Sequence, residues 1–267
     1  MSGILLRANN LNGVIPSTLV RFLPALRSID MHDNDLTGTL PSALAGLVQI
    51  QLAGNQLTGT FPHVFAESTM LYSLDISYNK IVSRVPLSFA GTQWNALVFD
   101  GVDFPPGPFP ASLLSLTDLI ILSLRDTQQT GTLPSEMGAL TNLKVLALGG
   151  KNGMNGTLPT ELGNLVELDQ LLLHSNSFSG TIPSELGRLT TLSELVLYKN
   201  KLTGSMPTEI GNLKNLQRLI FDYNNFDGDI PDEVCALNIN EFGGTSSSCP
   251  VEDFGGLVCP TQECCNC

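Results

Sequence analysis

The stretch LVLYKNKLTGSMPTEIG, residues 195–211, is the clearest copy of a unit that recurs along most of the chain. Leu195 and Leu197 alternate, as the buried face of a short β-strand does, and Asn200 follows three residues after Leu197. A Gly and a Pro then mark a turn. Because the same order recurs upstream and downstream, we predict a repeat protein.

Ten prolines give the phase of this repeat. Eight of the nine intervals between them are 24 or 25 residues, and the interval from Pro41 to Pro62 is 21. Eight copies carry Asn seven residues before the Pro, and nine carry Gly three residues before it. The ten prolines are Pro16, Pro41, Pro62, Pro86, Pro110, Pro134, Pro159, Pro183, Pro207 and Pro231.

Each type of residue that recurs within the unit has a physical role. The Leu-x-Leu pair predicts a short strand, and stacking of successive coils predicts a parallel sheet over a continuous apolar core. The Asn amide is expected to bond to backbone groups of neighbouring coils. The Leu-Gly-x-Leu that follows the Pro, as at 186–189, predicts a short helical turn that closes the coil.

The unit resembles the plant-type leucine-rich repeat, LxxLxLxxNxLxGxIPxxLGxL, and residues 192–213 match it almost position for position. The resemblance covers about residues 3–240. It implies an α/β repeat: a right-handed solenoid with a concave parallel sheet and short helical or 3-10 turns on the convex side. Similar repeats form the ectodomains of plant receptor-like kinases and receptor-like proteins, and polygalacturonase inhibitors, so the resemblance also implies ligand binding.

We predict two regions: a solenoid of about ten coils over residues 1–240, without the paired-Cys N-terminal cap typical of the resembled family, and a Cys-rich cap over residues 241–267. An even number of Cys in one terminal segment favours disulfides in an oxidising compartment. Zinc is the less favoured alternative, since the tail has no His and no pair of CxxC knuckles. The disulfide candidates are Cys235, Cys249, Cys259, Cys264, Cys265 and Cys267.

The charge and hydropathy of the chain disfavour several classes of partner. The net charge of -12 disfavours nucleic acid and anionic lipid, both of which attract basic proteins. No apolar run reaches the roughly 18 residues of a membrane span, so this chain is not expected to insert directly into a membrane. The N-terminal MSGILLRANN lacks a signal-peptide pattern. Because the Cys indicate secretion, we expect an extracellular or cell-surface location with the signal upstream of this chain.

Strand residues that alternate with the core positions point to the predicted concave face. In the last three coils we expect Leu172, Val196 and Ile220 to form an exposed apolar stripe, which is typical of an interaction hot spot. The alternative is that such residues merely suit a sheet or lie under the cap. The flanking residues of this predicted ligand-binding site are His174, Tyr198, Lys199, Asp222 and Tyr223.

A second group on the same predicted face is acidic. It could bind a basic partner, but solvated surface is the favoured interpretation. The coils over about 97–155 are irregular, with Asp103 in the place of the Asn and Pro105 in the place of the next Leu. These changes indicate either a local binding feature or drift in a tolerant repeat. The acidic group is Asp30, Asp33, Asp75 and Asp100.

An enzyme is not expected. His32, His63 and His174 fall in different coils, and no nucleophile–His–acid arrangement or phosphate loop is recognisable. The acidic segment 222–233 places Gly and Phe wrongly for a calcium loop, and we predict no cofactor or metal. Asn155 begins a glycosylation sequon, Asn-Gly-Thr.

We therefore predict non-enzymatic recognition of a protein, peptide or glycan on the concave face, with a co-receptor as a further candidate partner. The alternatives are an inhibitor of a secreted glycosidase and, from the Thr-Gly-Thr triplets at 37–39, 58–60 and 130–132, an ice-binding or structural solenoid.

Overall fold

The computed structural model describes residues 2–85, 93–237 and 239–243. The chain forms two compact units, Met1–Gln128 and Gln129–Cys267, called unit 1 and unit 2 below. Every described helix is too short or too polar to span a membrane.

Unit 1 is built on a main sheet of parallel strands in the order β1-β3-β5-β6-β7-β9, and β2 pairs in parallel with β4 beside it. Its short helices are α1, Leu19–Phe22, and 3-10 helices at Ser42–Gly46, His63–Phe65 and Ala111–Ser115. The strands are β1 Gly3–Leu5, β2 Asn12–Val14, β3 Ser28–Asp30, β4 Asp35–Thr37, β5 Gln49–Gln51, β6 Ser73–Asp75, β7 Ala96–Val98, β8 Gly107–Pro108 and β9 Ile121–Ser123.

Unit 2 contains two parallel sheets, a main sheet β11-β13-β15-β17-β19 and a second sheet β10-β12-β14-β16-β18. Helix α2 spans Asp232–Cys235, and 3-10 helices span Ser135–Ala139, Thr160–Asn164, Ser184–Arg188 and Thr208–Asn212. The strands are β10 Gln129–Thr132, β11 Val145–Ala147, β12 Gly153–Thr157, β13 Gln170–Leu172, β14 Ser177–Gly180, β15 Glu194–Val196, β16 Lys201–Gly204, β17 Arg218–Ile220, β18 Asn225–Phe226 and β19 Glu241–Phe242.

The predicted fold class, parallel strands stacked coil on coil with short 3-10 turns, is confirmed. Leu171, Leu195 and Leu219 pair in register across β13, β15 and β17, and all three side chains are fully buried. The opposite face of each main sheet is the one predicted to be concave. The second sheet of unit 2 is a finding that the sequence analysis did not anticipate.

The predicted Asn ladder is present. Asn200 donates from Nδ2 to the carbonyl oxygens of Leu173 (3.1 Å) and Leu197 (2.9 Å), and its Oδ1 accepts the N–H of Phe178 (3.0 Å). Each amide thus ties together backbone groups of adjacent coils that would otherwise be buried without partners. The same pattern recurs at Asn34, Asn55, Asn79, Asn176 and Asn224.

The assignment of Asp103 and Pro105 to repeat positions is wrong. Leu97 is in register with Leu74 and Leu122 in the main sheet, so the Asn position falls five residues later, on Val102. Val102 is buried, and so is Phe104, two residues further on. Apolar side chains therefore fill the space of the Asn and the next Leu, and the extra residue lies between them and Pro110.

Candidate functional site

The predicted ligand-binding residues of unit 2 lie on the face of β13, β15 and β17 opposite the core leucines and on the turns that follow these strands. Leu172, Val196 and Ile220 pair in register across the three strands. The central column therefore exists as predicted.

The prediction that this column is exposed is wrong. Val196 is 2% exposed and Ile220 is 3% exposed, and Leu172 is half-buried. Side chains two residues away along each strand point to the same face, and long ones cover the shorter apolar residues between them.

A polar row covers one side of the apolar column. Gln170 donates to Glu194 Oε1 (3.0 Å), and Arg218 lies between two carboxylates. Its Nε donates to Glu241 Oε2 (2.7 Å), and its Nη1 lies 3.4 Å from Glu194 Oε2. The desolvation of Arg218 lowers its pKa, but the hydrogen bonds and charges of Glu241 and Glu194 outweigh this and raise the pKa above its ordinary value. The row is thus held together across three strands.

An aromatic row covers the other side. The ring of His174 stacks on that of Tyr198 with 4.8 Å between centroids and 7° between planes. Gly149 makes room for this stack, since a Cβ at that position would lie 2.4 Å from Cε1 of His174. The irregular segment around Gly149 therefore has a structural consequence for the predicted site.

Lys199 and Tyr223 lie close to this stacked pair. Both have left-handed backbone conformations, with φ of 53°, and both side chains are exposed, Tyr223 to 58%. Nζ of Lys199 lies 5.8 Å from the ring centroids of both Tyr198 and Tyr223, a distance typical of cation–π contact. We call His174, Tyr198, Lys199 and Tyr223 the aromatic–lysine cluster.

Asp222 does not share this exposure. Asp222 is 4% exposed, so it offers little surface to a ligand. The cluster presents phenol hydroxyls, an ammonium group and the open ring of Tyr223. Such a surface can donate hydrogen bonds to an anionic or polar group and pack against an apolar one.

The acidic group of unit 1 is not uniformly solvated, and for Asp100 that interpretation is wrong. Asp100 is 1% exposed. Its Oδ1 accepts the Ser123 hydroxyl (2.5 Å) and the Arg125 N–H (2.9 Å), and its Oδ2 accepts Nε of Arg125 (2.8 Å). Burial lowers the pKa of Arg125, but the hydrogen bonds and charge of Asp100 outweigh this and raise the pKa above its ordinary value. The sequence analysis missed this ion pair.

The other acidic residues of the group differ in their surroundings. Asp30 Oδ1 lies 2.5 Å from Nδ1 of His32, and Asp33 is exposed with Oδ2 3.8 Å from Nε2 of the same imidazole. Burial raises the pKa of Asp75; hydrogen bonds from Ser77 lower it, and the charge of Asp100 raises it further. The four carboxylates therefore do not act as one surface.

The remaining predicted residues have separate positions. Asn155 is exposed on β12. Cys235 is the last residue of α2, and the five other candidate Cys lie outside the described residues. Among the residues that the structure describes, no group of three or more His, Cys, Asp or Glu is placed to hold a metal ion.

Comparison with known proteins gives two family-model matches. A leucine-rich repeat region matches residues 111–238, and a leucine-rich repeat matches residues 25–47. Together they cover more than half of the chain. No curated protein sequence matches.

Solved structures also resemble this chain. The plant peptide hormone receptor RGFR1, in complex with RGF2, is 31% identical with a TM-score of 0.79 over 88% of this chain and 38% of the receptor chain. The ectodomain of the Arabidopsis receptor kinase HAESA, in complex with an extended IDA peptide hormone, is 31% identical with a TM-score of 0.80 over 90% of this chain and 41% of its own. The present chain thus spans about two fifths of these receptor chains.

A plant ice-binding protein shares the fold as well. It is 23% identical with a TM-score of 0.74 over 91% of this chain and 81% of its own. At this identity the similarity speaks for the fold alone.

Proposed function

Because the chain belongs to the leucine-rich-repeat family, we propose that it is a recognition module. It binds a peptide or protein ligand on the face of the main sheet of unit 2 that is opposite the core and was predicted to be concave. The observation that carries this proposal is the aromatic–lysine cluster, an exposed Tyr and Lys beside a stacked His–Tyr pair. Tyr is enriched among residues that dominate binding energy. Binding, not catalysis, is the role of this face.

The similar receptors support a peptide-type ligand. RGFR1 and HAESA were each solved with a peptide hormone bound. Lys199 is the exposed cation of the cluster, and this favours a ligand segment with an acidic side chain next to an apolar one that packs on Tyr223. The charge selects the ligand, and the ring adds contact area.

An extracellular or cell-surface location is part of the proposal. Its support is the similarity to receptor ectodomains. A disulfide at Cys235, which is typical of oxidising compartments, belongs to the same proposal. Glycosylation of the exposed Asn155 belongs to the same proposal. If Thr157→Ala lowered the mass of the secreted protein only by the difference between the Thr and Ala side chains, this would argue against glycosylation of Asn155.

The experiment compares capture of ligands from extracellular extract by the wild-type protein and by a Lys199→Ala, Tyr223→Ala variant. Lys214→Ala is the matched control, because Lys214 is exposed next to the 3-10 helix Thr208–Asn212 and outside the cluster. A captured peptide is then synthesised and titrated against all three proteins.

We expect the double variant to bind that peptide at least about tenfold more weakly than the wild type, since loss of an anchor residue costs about 2 kcal/mol. The control should bind as the wild type does. Equal binding by all three proteins, or capture of no ligand by the wild type, would overturn the proposal.

A further inference from the structure

A polar cleft in unit 1 lies at the amino-terminal edge of the main sheet, away from the acidic group. It has a volume of about 390 Å³ and is lined by Tyr72, Gln93, Asn95 and Asp118. These residues come from the segments that lead into β6, β7 and β9. The N–H of Asn95 donates to the carbonyl of Tyr72 (2.8 Å), and the N–H of Ile120 donates to that of Asn95 (2.8 Å), so the three coils are stacked directly on one another at the cleft.

The side chains of the cleft combine one aromatic ring with three planar polar groups. Gln93 and Asn95 flank the fully buried Trp94 and are themselves partly or fully exposed, so both point away from the core. Tyr72 is 40% exposed. In the described part of unit 1, none of the four side chains forms a hydrogen bond or an ion pair with another residue. Their donors and acceptors are therefore available to a ligand in the cleft.

The charge of the lining limits the chemistry of that occupant. Among the described residues, the lining contains one carboxylate, Asp118, and no Lys, Arg or His. An oxyanion would meet repulsion without a compensating cation. A neutral ligand rich in hydroxyls fits instead, because carboxamides both donate and accept hydrogen bonds and a carboxylate accepts them at both of its oxygens. An aromatic ring covers the apolar C–H face of such a ligand.

The backbone around the cleft does not favour a peptide in this place. β6 and β7 are interior strands whose backbone groups are paired on both sides, so an extended peptide cannot add to the sheet there. A volume of about 390 Å³ lies within the range of small-ligand sites.

We infer that this cleft binds a neutral sugar unit of an oligosaccharide. Tyr72 packs on the C–H face of the sugar ring, and Gln93, Asn95 and Asp118 hydrogen-bond to its hydroxyls. The site is separate from the aromatic–lysine cluster in unit 2, and its test requires no peptide ligand.

The test is saturation-transfer NMR followed by calorimetry on the full chain. The neutral probes are cello-, xylo- and manno-oligosaccharides, and the acidic probe is oligogalacturonate, each at millimolar concentration. We expect at least one neutral probe to bind and the acidic probe not to bind. Tyr72→Ala should weaken the binding about tenfold or more, whereas Tyr72→Phe, which keeps the ring, should retain most of it.

Met70→Ala is the matched control, since Met70 is exposed two residues from Tyr72 but does not line the cleft. It should bind the sugar as the wild type does, and the thermal melting of each variant confirms its fold. Failure of every neutral probe to bind, binding of the acidic probe alone, or equal binding by wild type and Tyr72→Ala would overturn the inference. Displacement of the bound sugar by a peptide that contacts Tyr72 would assign the cleft to peptides instead.

Discussion

Removal of a single side chain is expected to reduce the stability of this protein by very different amounts, depending on what that side chain bonds to. Asn200 is buried and bonds to the backbone of its own coil at Leu197 and of the preceding coil at Leu173 and Phe178, whereas Asn212 is exposed at the end of a 3-10 helix. The backbone groups that bond to the buried Asn200 amide have no water as an alternative partner, so the fold requires this amide.

We expect Asn200→Ala to lower the free energy of unfolding by about 2–3 kcal/mol, since it leaves buried N–H and carbonyl groups without partners. Asn212→Ala should change it by less than about 0.5 kcal/mol. Urea unfolding followed by circular dichroism measures both. Equal losses for the two variants would contradict the assigned role of the ladder.

Asp75 gives a prediction on pH. Burial raises its pKa above the ordinary value of 3.8, so folding favours the protonated acid. That stabilisation is complete below pH 3.8 and is lost as the pH rises through the folded-state pKa. Asp75→Asn removes the charge and keeps an oxygen that can accept the Ser77 N–H, now 3.0 Å from Oδ1 of Asp75.

The Asp75→Asn variant should therefore melt at a higher temperature than the wild type at pH 7, with the difference shrinking as the pH falls towards 3.8. Asp227→Asn, at an exposed site in unit 2, is the control for removal of one negative charge. An advantage that grows on acidification would show that the sign is wrong.

At the scale of elements, the 3-10 helices of unit 2 stack so closely that their glycines have no room for a side chain. A Cβ on Gly187 would lie 2.4 Å from the carbonyl oxygen of Glu209 in the next coil. Gly46 in unit 1 lies one position further along the repeat, where the coil of Gly187 has Arg188, and its nearest neighbour, Val20 Cγ1, is 4.0 Å away. Adjacent positions of the short helical turn are thus under different constraints.

Gly187→Ala should destabilise the protein by about 1–3 kcal/mol, because backbone must move to relieve the contact. Gly46→Ala should be neutral or stabilise by up to about 1 kcal/mol, since Ala restricts the unfolded chain. Thermal melting of the pair checks this. A neutral Gly187→Ala would mean that the coils separate more easily than their packing indicates.

At the scale of the molecule, the repeat makes interactions local along the chain. Each coil contacts its neighbours, so its stability depends on them more than on distant coils. In hydrogen exchange, Gly187→Ala should reduce amide protection most in the coils that contain residues 184–212 and progressively less in the unit 2 coils beyond them. A uniform loss across unit 2 would instead indicate that the unit opens as one cooperative body.

Much of the fold could be predicted from the sequence because the same residues with the same local structural roles recur in many coils. The Leu-x-Leu alternation, the Asn and the post-Pro turn each have a short-range cause, and each is found where its phase predicts. The prediction was wrong in the coil with Val102 and Phe104. There an apolar side chain occupies the Asn position and an extra residue precedes Pro110, so counting back from the Pro gave the wrong residue.

The candidate site was less predictable, because exposure depends on neighbouring coils. Alternation correctly placed Val196 and Ile220 on the outer face of the sheet, but it carries no information on the side chains of adjacent rows. The aromatic row and the polar row bury this column, and Arg125 takes Asp100 out of the solvated surface. Residues 24 or 25 apart in sequence make these contacts, which no local pattern encodes.

The sequence by itself determined the repeat, its coil length, the buried face of each strand and the class of protein, since these follow from periodicity within one coil. The tertiary structure decided which outward residues remain exposed, how His174 stacks over Gly149, and where Tyr72, Gln93, Asn95 and Asp118 converge. The physical reason is that, within each unit, stacking places neighbouring strands one strand spacing apart, so the exposure of each surface side chain depends on residues a full repeat away.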